Sequence, residues 1–341
     1  MNPWSDAIEA RRRELGSSLT IMGHHYQADE VIRHADLRGD TLQLARQALD
    51  VDSGHIVFCG VYFMAESVAL LARPGQTVHL PEPSAECSMA LMSTAPAVER
   101  VLERLEARGR KVTPLVYGNS TLGLKALAGA RGGAVCTSAN ALPMLRWALE
   151  QSDAVLFLPD RNLGWNTADA LGLPLAERAL IRPRGDGPEE AENARLLLWP
   201  GFCSIHTRFT TRQIDRLRAE HPGALVAVHP ECTPEVVAAA DAVGSTSFLI
   251  RYAAEAPAGS TCVLGTEINL VERLAAEHRD RLTVLPLVES ACTHMAQTTE
   301  ERLAACLEAA AGGGDGFAVR ISEENREQAR SALERMFQTA G

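Results

Sequence analysis

This chain repeats itself, and the repeat constrains its fold more than any single motif does. At a constant offset of 205 residues, His24 answers to His229, Glu30-Val31 to Glu235-Val236, and Ala35-Asp36 to Ala240-Asp241. Gly39 and Thr41 match Gly244 and Thr246, Gly60 matches Gly265, Leu80-Pro81 matches Leu285-Pro286, and Cys87 matches Cys292. No gap interrupts the match. Stretches that share their apolar, glycine and polar spacing are expected to share one supersecondary unit, and such units bury their apolar faces by meeting their copies.

A third, looser copy lies between these two. Val116-Tyr117-Gly118-Asn119 follows an apolar run, as His24 and His229 do, and Cys136-Thr137-Ser138 stands where the other copies have Gly39-Asp40-Thr41 and Gly244-Ser245-Thr246. The run Leu196–Pro200 leads into Cys203 as Leu80-Pro81 leads towards Cys87. His24 to Cys87 is 63 residues, as is His229 to Cys292, whereas Tyr117 to Cys203 is 86. The excess fits an insertion such as Arg182–Glu192, rich in glycine, proline and acid, which reads as an exposed loop.

Each copy reads strand, loop, helix, strand, helix, strand, loop. Strands are expected near Leu19–Met22, His55–Cys59 and Thr77–Leu80, then Val112–Val116, Ala154–Leu158 and Leu196–Trp199, then Leu225–Val228, Thr261–Leu264 and Leu282–Leu285. Helices are expected over Asp40–Ala48, Ala139–Leu149 and Thr246–Ala254. Short apolar runs separated by helix-length segments indicate parallel sheets covered by helices. The expectation is α/β: three similar three-layer α/β/α domains with short parallel sheets, over residues 1–108, 109–221 and 222–341, related by pseudo-threefold symmetry around a central active site. The first carries an N-terminal amphipathic helix over Pro3–Leu15 and the last a docked helix over Ser322–Phe337.

Composition narrows the function. The 341 residues are 46% hydrophobic and 22% charged, an ordinary globular balance. A formal charge of −10 argues against a nucleic-acid backbone as partner, since no basic face would release counterions. No apolar run reaches membrane-span length, and the N-terminus lacks the apolar core of a signal peptide, so the cytoplasm is the expected compartment. Lys111 and Lys125 are the only lysines, and neither lies at an obvious site for Schiff-base chemistry. Eight cysteines without a signal peptide point to metal binding or plain burial rather than disulfides.

Parallel sheets gather functional loops at the carboxyl ends of their strands. That edge carries His24-His25-Tyr26, Tyr117-Gly118-Asn119 and His229-Pro230-Glu231 after the first strands, and Cys87, Cys203 and Cys292 after the third. Cys59, Cys136, Cys232, Cys262 and Cys306 are read as small buried hydrophobes. Cys87, Cys203 and Cys292 hold one position in three repeats and can meet as a tripod. Three thiolates suit a [4Fe–4S] cluster that keeps one iron open as a Lewis acid. Zinc competes, because His206 and His294 could add nitrogen ligands. His24, Tyr26, Tyr117, Asn119, His206, His229 and Glu231 read as a substrate site. Thr41, Ser138 and Thr246 each stand at an expected helix start, either as N-caps or as a seat for a phosphate or carboxylate.

With these residues set out, the chain resembles the quinolinate synthase family, the iron–sulfur quinolinate synthetase A proteins, over nearly its whole length. The matching signatures are His24-x-Tyr26-Gln27, Gly39-Asp40-Thr41-Leu42, Phe58-Cys59-Gly60-Val61, Phe63-Met64-Ala65-Glu66, Cys87-Ser88-Met89 and Cys136-Thr137-Ser138-x-Asn140. They continue with Leu156–Asp160, Asn162-Leu163-Gly164, Trp199–Cys203 with His206, His229–Cys232, Gly244–Ser247, Gly265-Thr266-Glu267 and Cys292-x-x-Met295. The resemblance implies condensation of iminoaspartate with dihydroxyacetone phosphate to quinolinate, releasing phosphate and two waters, on the route to NAD. It implies Cys87, Cys203 and Cys292 as ligands of a [4Fe–4S] cluster. Tyr26, Tyr117 and Glu231 fall on catalytic positions, and His24, Tyr117, Asn119, His206, His229 and Glu231 on binding positions, with Thr41, Ser138 and Thr246 as the anion contacts. It also implies an L-aspartate oxidase as supplier of iminoaspartate. Three positions depart from the family's pattern: Thr41 where serine is usual, His25 where tyrosine or asparagine is, and Ala85-Glu86 before the first ligand, where glycine is commoner. The competing expectations are a reductive dehydroxylase with the same tripod and a non-catalytic iron–sulfur sensor.

Overall fold

The computed structural model describes residues 3–183 and 193–340. The loop expected over Arg182–Glu192 therefore lies, beyond Pro183, outside the described residues. Among the described residues thirteen strands form three sheets. The first holds β1 (Leu19–His24), β2 (Leu37–Gly39), β3 (His55–Cys59) and β4 (Thr77–His79). The second holds β5 (Val112–Tyr117), β6 (Ala134–Cys136), β7 (Ala154–Leu158), β8 (Arg178–Leu180) and β9 (Leu196–Leu198). The third holds β10 (Leu225–Val228), β11 (Ala242–Val243), β12 (Thr261–Gly265) and β13 (Thr283–Pro286).

The strand orders are β2-β1-β3-β4, β6-β5-β7-β9-β8 and β11-β10-β12-β13, with parallel pairing throughout. The chain is thus α/β, built from three similar small parallel sheets with covering helices. Parallel strands sealed on both faces read as unbroken apolar runs, and β5 and β7 are buried along their whole length. In all three sheets the order reverses beside the first strand. The loops leaving β1, β5 and β10 therefore open into the crevice where such sheets bind ligands.

Each sheet has at least one edge strand that the sequence pattern did not reveal: β2 in the first, β6 and β8 in the second, and β11 in the third. They are two or three residues long, too short for any periodicity to register. The repeat still shows in their hydrogen bonds. Asp36 Oδ2 accepts from the N–H of Ile21 at 2.8 Å, and Asp241 Oδ2 accepts from the N–H of Val226 at 2.8 Å, at the same offset of 205. Arg12 and Arg218 then pair with these aspartates at 2.5 and 2.7 Å. The longer second copy has a further cause, since β8 adds a fifth strand on the far side of β9.

The ends of the chain lie across units. The helix Pro3–Leu15, as expected from its amphipathic pattern, packs on the helix Glu300–Ala311, which also covers β3. The segment after it runs along β4, where Leu80 N–H donates to Phe317 O at 2.9 Å and Val319 N–H to Val78 O at 2.8 Å. The last helix, Glu323–Thr339, then docks on the middle unit, against the helix Leu122–Ala130 and β6. Its Ala329, Ala332, Leu333 and Met336 are buried there. Gly129 permits this close approach: a Cβ at that position would lie 1.8 Å from the carbonyl oxygen of Gln328.

Candidate active site

The loops from the three sheets line one cavity, with about 680 Å³ of space unfilled by protein atoms, its mouth included. All the residues expected at the site line it: His24, Tyr26, Thr41 and Cys87 from the first unit, Tyr117, Asn119, Ser138, Cys203 and His206 from the second, and His229, Glu231, Thr246 and Cys292 from the third. Sequence alone could only place them at sheet edges. Docking the three edges together brings them to one wall.

His24 and His229 are presented in the same way. The backbone N–H of Tyr26 donates to His24 Nδ1 at 3.1 Å, and that of Glu231 donates to His229 Nδ1 at 3.3 Å. A backbone amide only donates, so Nδ1 is the unprotonated nitrogen in both rings and Nε2 carries the hydrogen. Burial, then the neighbouring histidines, lowers both to about 3, so the rings are neutral donors near neutral pH. Beside them Asn119 Oδ1 is buried without a partner, a polar atom left for a ligand to satisfy.

A chain of hydrogen bonds crosses the cavity floor. The Tyr26 hydroxyl lies 2.7 Å from Thr266 Oγ1, which is 3.4 Å from His206 Nε2. His206 Nδ1 lies 2.6 Å from Glu231 Oε2, and the Tyr117 hydroxyl bonds to Glu231 as well. Burial pushes both phenols well above their usual value, so Tyr26 and Tyr117 stay protonated. Burial also opposes the charge of Glu231. The adjacent His229 and His206 and the bonds from His206 and Tyr117 outweigh it, and the carboxylate is held below its ordinary range. One buried base thus stands between two protonated phenols. Thr266, the middle link, stands in the sequence only as part of the Gly265-Thr266-Glu267 signature, which gives no sign of its bonds to Tyr26 and His206.

Cys87, Cys203 and Cys292 face the same cavity, near enough that Cys87 feels Cys292 and Cys203 feels Cys87. Burial pushes the Cys87 thiol up to about 12 and raises the other two. Against that, each sulfur meets the backbone N–H groups two and three residues on: Met89 and Ala90, Ile205 and His206, His294 and Met295. A short 3₁₀ turn starts at Ala90, His206 and Met295 respectively, so the same local geometry occurs three times. Cys59, Cys136, Cys262 and Cys306 are raised by burial with no such donors, in keeping with a packing role. Paired N–H donors on three converging sulfurs fit thiolates that bind a cationic centre. Cys203, His206 and Glu231 also bring ligand atoms within 4.8 Å of one another, so this corner could hold a metal ion. There His206 Nδ1 and Glu231 Oε2 are already engaged with each other.

The hydroxyls near the mouth are not helix caps. Asp40 caps the helix Thr41–Gln47 and Ser245 caps Thr246–Glu255, which leaves Thr41 and Thr246 as first helical residues. Ser138 does not start a helix at all. The helix begins at Ala141, and residues 137–140 form a turn in which Asn140 Oδ1 accepts from the N–H of Thr137 at 2.7 Å. The converging helix starts are also partly used, because Asp40 takes the N–H of Gln43 and Ser245 that of Phe248. Thr246 Oγ1 donates to the Tyr26 hydroxyl at 3.2 Å, so the hydroxyls of Thr41 and Ser138, rather than helix dipoles, are the donors left for a ligand.

Comparison with known proteins decides the family. The profile of the family described as Quinolinate synthetase A protein matches residues 6–338. The chain belongs to the quinolinate synthetase A family. Relatives named quinolinate synthase include one from Acidobacterium capsulatum, 42% identical over 98% of this chain and 93% of its own length. Those from Corynebacterium glutamicum and Halalkalibacterium halodurans are 45% and 43% identical, over 97% and 98% of this chain and 87% and 93% of theirs. A solved reductase for E-1-hydroxy-2-methyl-but-2-enyl-4-diphosphate from Plasmodium falciparum has 10% identity over 89% of this chain and 84% of its own, with a TM-score of 0.29, and carries no argument.

As a member of the quinolinate synthetase A family the chain is an enzyme, and its three departures from the family's pattern are accommodated. The Thr41 methyl faces Gly118 of the second unit, where even an added Cβ would lie 3.7 Å away. His25 does not line the cavity, and burial with Arg273 beside it lowers it to about 4, so it adds no charge near neutral pH. Glu86 is exposed and outside the cavity lining.

Struts between units were not legible in the sequence. Arg273 of the third unit donates to His25 O at 2.9 Å, Gln27 O at 2.6 Å and Asp29 at 2.6 Å, and Asn269 donates to Tyr26 O at 3.2 Å. Asn166 of the second unit donates to Pro230 O and Cys232 O at 2.8 Å, and Asn162 to Glu231 O at 3.3 Å. Lys125 donates to Ser120 O at 2.9 Å and Phe63 O at 3.4 Å, joining the first and second units behind the cavity. The His24–Gln27 and His229–Cys232 loops are therefore held by side chains of another unit.

Proposed function

We propose that this chain condenses iminoaspartate with dihydroxyacetone phosphate to give quinolinate, phosphate and two waters, using a [4Fe–4S] cluster held by Cys87, Cys203 and Cys292. Family membership supports the reaction. The observation that carries the site is the convergence, in one cavity, of three thiols with paired N–H donors and a base set between two phenols. With three protein ligands such a cluster supplies an open iron that acts as a Lewis acid towards substrate oxygens.

The chain's own residues supply the rest. His24 and His229 donate through Nε2–H to substrate carboxylates, and Asn119 Oδ1 accepts from a hydroxyl or N–H group of the substrate. Thr41, Ser138 and Thr246 bind the phosphate through their hydroxyls. Glu231, ionised, removes a proton from carbon, and His206 orients it through Nδ1–H. Tyr26 and Tyr117, both protonated, donate to departing hydroxyl groups. Thr266 links Tyr26 to His206, so the proton that leaves one group can return through another.

The division into residues 1–108, 109–221 and 222–341 is part of this proposal, supported by the fact that each sheet draws all its strands from one segment. Among the described residues no helix is long and apolar enough to cross a membrane, which is consistent with a cytoplasmic enzyme. Imines of this kind hydrolyse in water, so an L-aspartate oxidase that delivers iminoaspartate fresh is the natural partner.

The test is anaerobic reconstitution with iron and sulfide, then assay of quinolinate from freshly generated iminoaspartate and dihydroxyacetone phosphate. Quinolinate formation that disappears in Cys203→Ala is the expected result. A reconstituted chain that makes none from both substrates overturns the reaction, and zinc without sulfide in the active protein overturns the cluster.

A further inference from the structure

Two buried carboxylates outside the catalytic set occupy the same place in two units. Asp160 and Glu267 are both fully buried, and each caps the helix that follows the central strand of its sheet, Arg161–Leu171 and Ile268–His278. Asp160 Oδ1 accepts from the N–H of Asn162 at 2.7 Å and of Leu163 at 2.9 Å. Its other oxygen, Oδ2, accepts from the N–H of Cys203 at 3.1 Å. Glu267 repeats the arrangement: Oε2 accepts from the N–H of Asn269 at 2.8 Å, and Oε1 from the N–H of Cys292 at 3.2 Å.

An ordinary helix cap needs one oxygen, and a serine or threonine serves. Here the second oxygen is also buried and committed, in both units to the backbone of a cysteine. The helix starts then do one more thing at a shared spacing. Two residues and six residues beyond the acid stand Asn162 and Asn166 in one case and Asn269 and Arg273 in the other. These hold the His229–Cys232 and His24–Gln27 loops of the neighbouring units. One turn of helix therefore grips a cysteine loop with its acid and a substrate loop with its amide or guanidinium. The first unit differs, for Val61 stands at its helix cap, and the N–H of Tyr62 goes to the backbone of Ala85.

We propose that Asp160 and Glu267 are positioning residues that hold Cys203 and Cys292 in ligand geometry and fix their distance from the substrate loops. This rests on the reading of those cysteines as cluster ligands. An amide in place of either acid keeps the shape but offers one oxygen and one NH₂. In Asp160→Asn the oxygen serves the two helix N–H groups, and the NH₂ faces the N–H of Cys203, donor against donor. The helix stays capped while the cysteine loop loses its anchor.

The experiment compares Asp160→Asn, Glu267→Gln, Cys203→Ala and Cys292→Ala after anaerobic reconstitution. It reads iron and sulfide per chain, the rate of iron loss to a chelator, and the melting temperature of the cluster-free protein. Expected are iron loss about tenfold faster in both amide variants, the scale of one buried unpaired donor, and a small fall in melting temperature that does not track the iron loss between them. Both amide variants holding iron as firmly as the unaltered chain, while the alanine variants lose it, overturns the positioning role and leaves the ligands standing. Alanine variants that keep full iron overturn the ligand reading itself. Melting temperatures that fall in step with iron loss make the acids helix caps only, which also overturns the proposal.

Discussion

His206 Nδ1 lies 2.6 Å from Glu231 Oε2, with both side chains at 2% exposure. A carboxylate this deep stays charged only because hydrogen bonds and neighbouring rings meet it on several sides. Such a group is either the base of the reaction or a fixed strut for the imidazole. Glu231→Gln separates the two, since it keeps the shape and removes the base. Quinolinate turnover by the cluster-loaded variant should fall about a hundredfold or more, with iron content and substrate binding retained. Near-normal turnover would remove Glu231 from the chemistry.

Thr266 joins the Tyr26 hydroxyl to His206, at 2.7 and 3.4 Å, and is fully buried. Thr266→Val keeps its volume and breaks the chain of hydrogen bonds. Turnover should fall about three- to tenfold, the scale of one neutral hydrogen bond, while iron content stays constant. Unaltered kcat with an unaltered pH profile would show that Tyr26 works without this link.

Thr41 is free of capping duty because Asp40 performs it. Thr41→Val should therefore leave the fold and the cluster intact. It should raise the KM for dihydroxyacetone phosphate about ten- to a hundredfold, the value of a hydrogen bond to a charged group. An unchanged KM would leave the phosphate to Ser138 and Thr246.

His24 and His229 are lowered by burial to about 3 in the folded protein, against an ordinary value of 6.5. Their folded values are depressed, so the unfolded chain binds more protons as pH falls below about 6.5. Stability is full above that point and declines as pH drops towards 3, at about 1.4 kcal/mol per pH unit for each histidine. Thermal melting of the cluster-free protein from pH 8 to pH 4 checks this. His24→Asn should flatten the acid limb, and an identical limb in that variant would assign the acid sensitivity elsewhere.

The 205-residue repeat lies in the sequence itself, and with it came the α/β class, the three parallel sheets, nine of the thirteen strands among the described residues and the list of residues at their carboxyl edges. Each of these depends on local spacing, and local spacing is written along the chain. Strands of two or three residues such as β2, β8 and β11 have no period to read. The tertiary structure alone decided how the three edges meet, because that depends on which faces bury one another across units. Arg273 closes on the His24–Gln27 loop from 246 residues away in sequence. Asp160 and Glu267 turn their second oxygens to cysteine loops that no motif links to them. The same docking sets the charges: by excluding water it keeps the phenols of Tyr26 and Tyr117 protonated and the imidazoles of His24 and His229 neutral, and by bringing His229, His206 and Tyr117 against Glu231 it keeps that carboxylate ionised in spite of its burial.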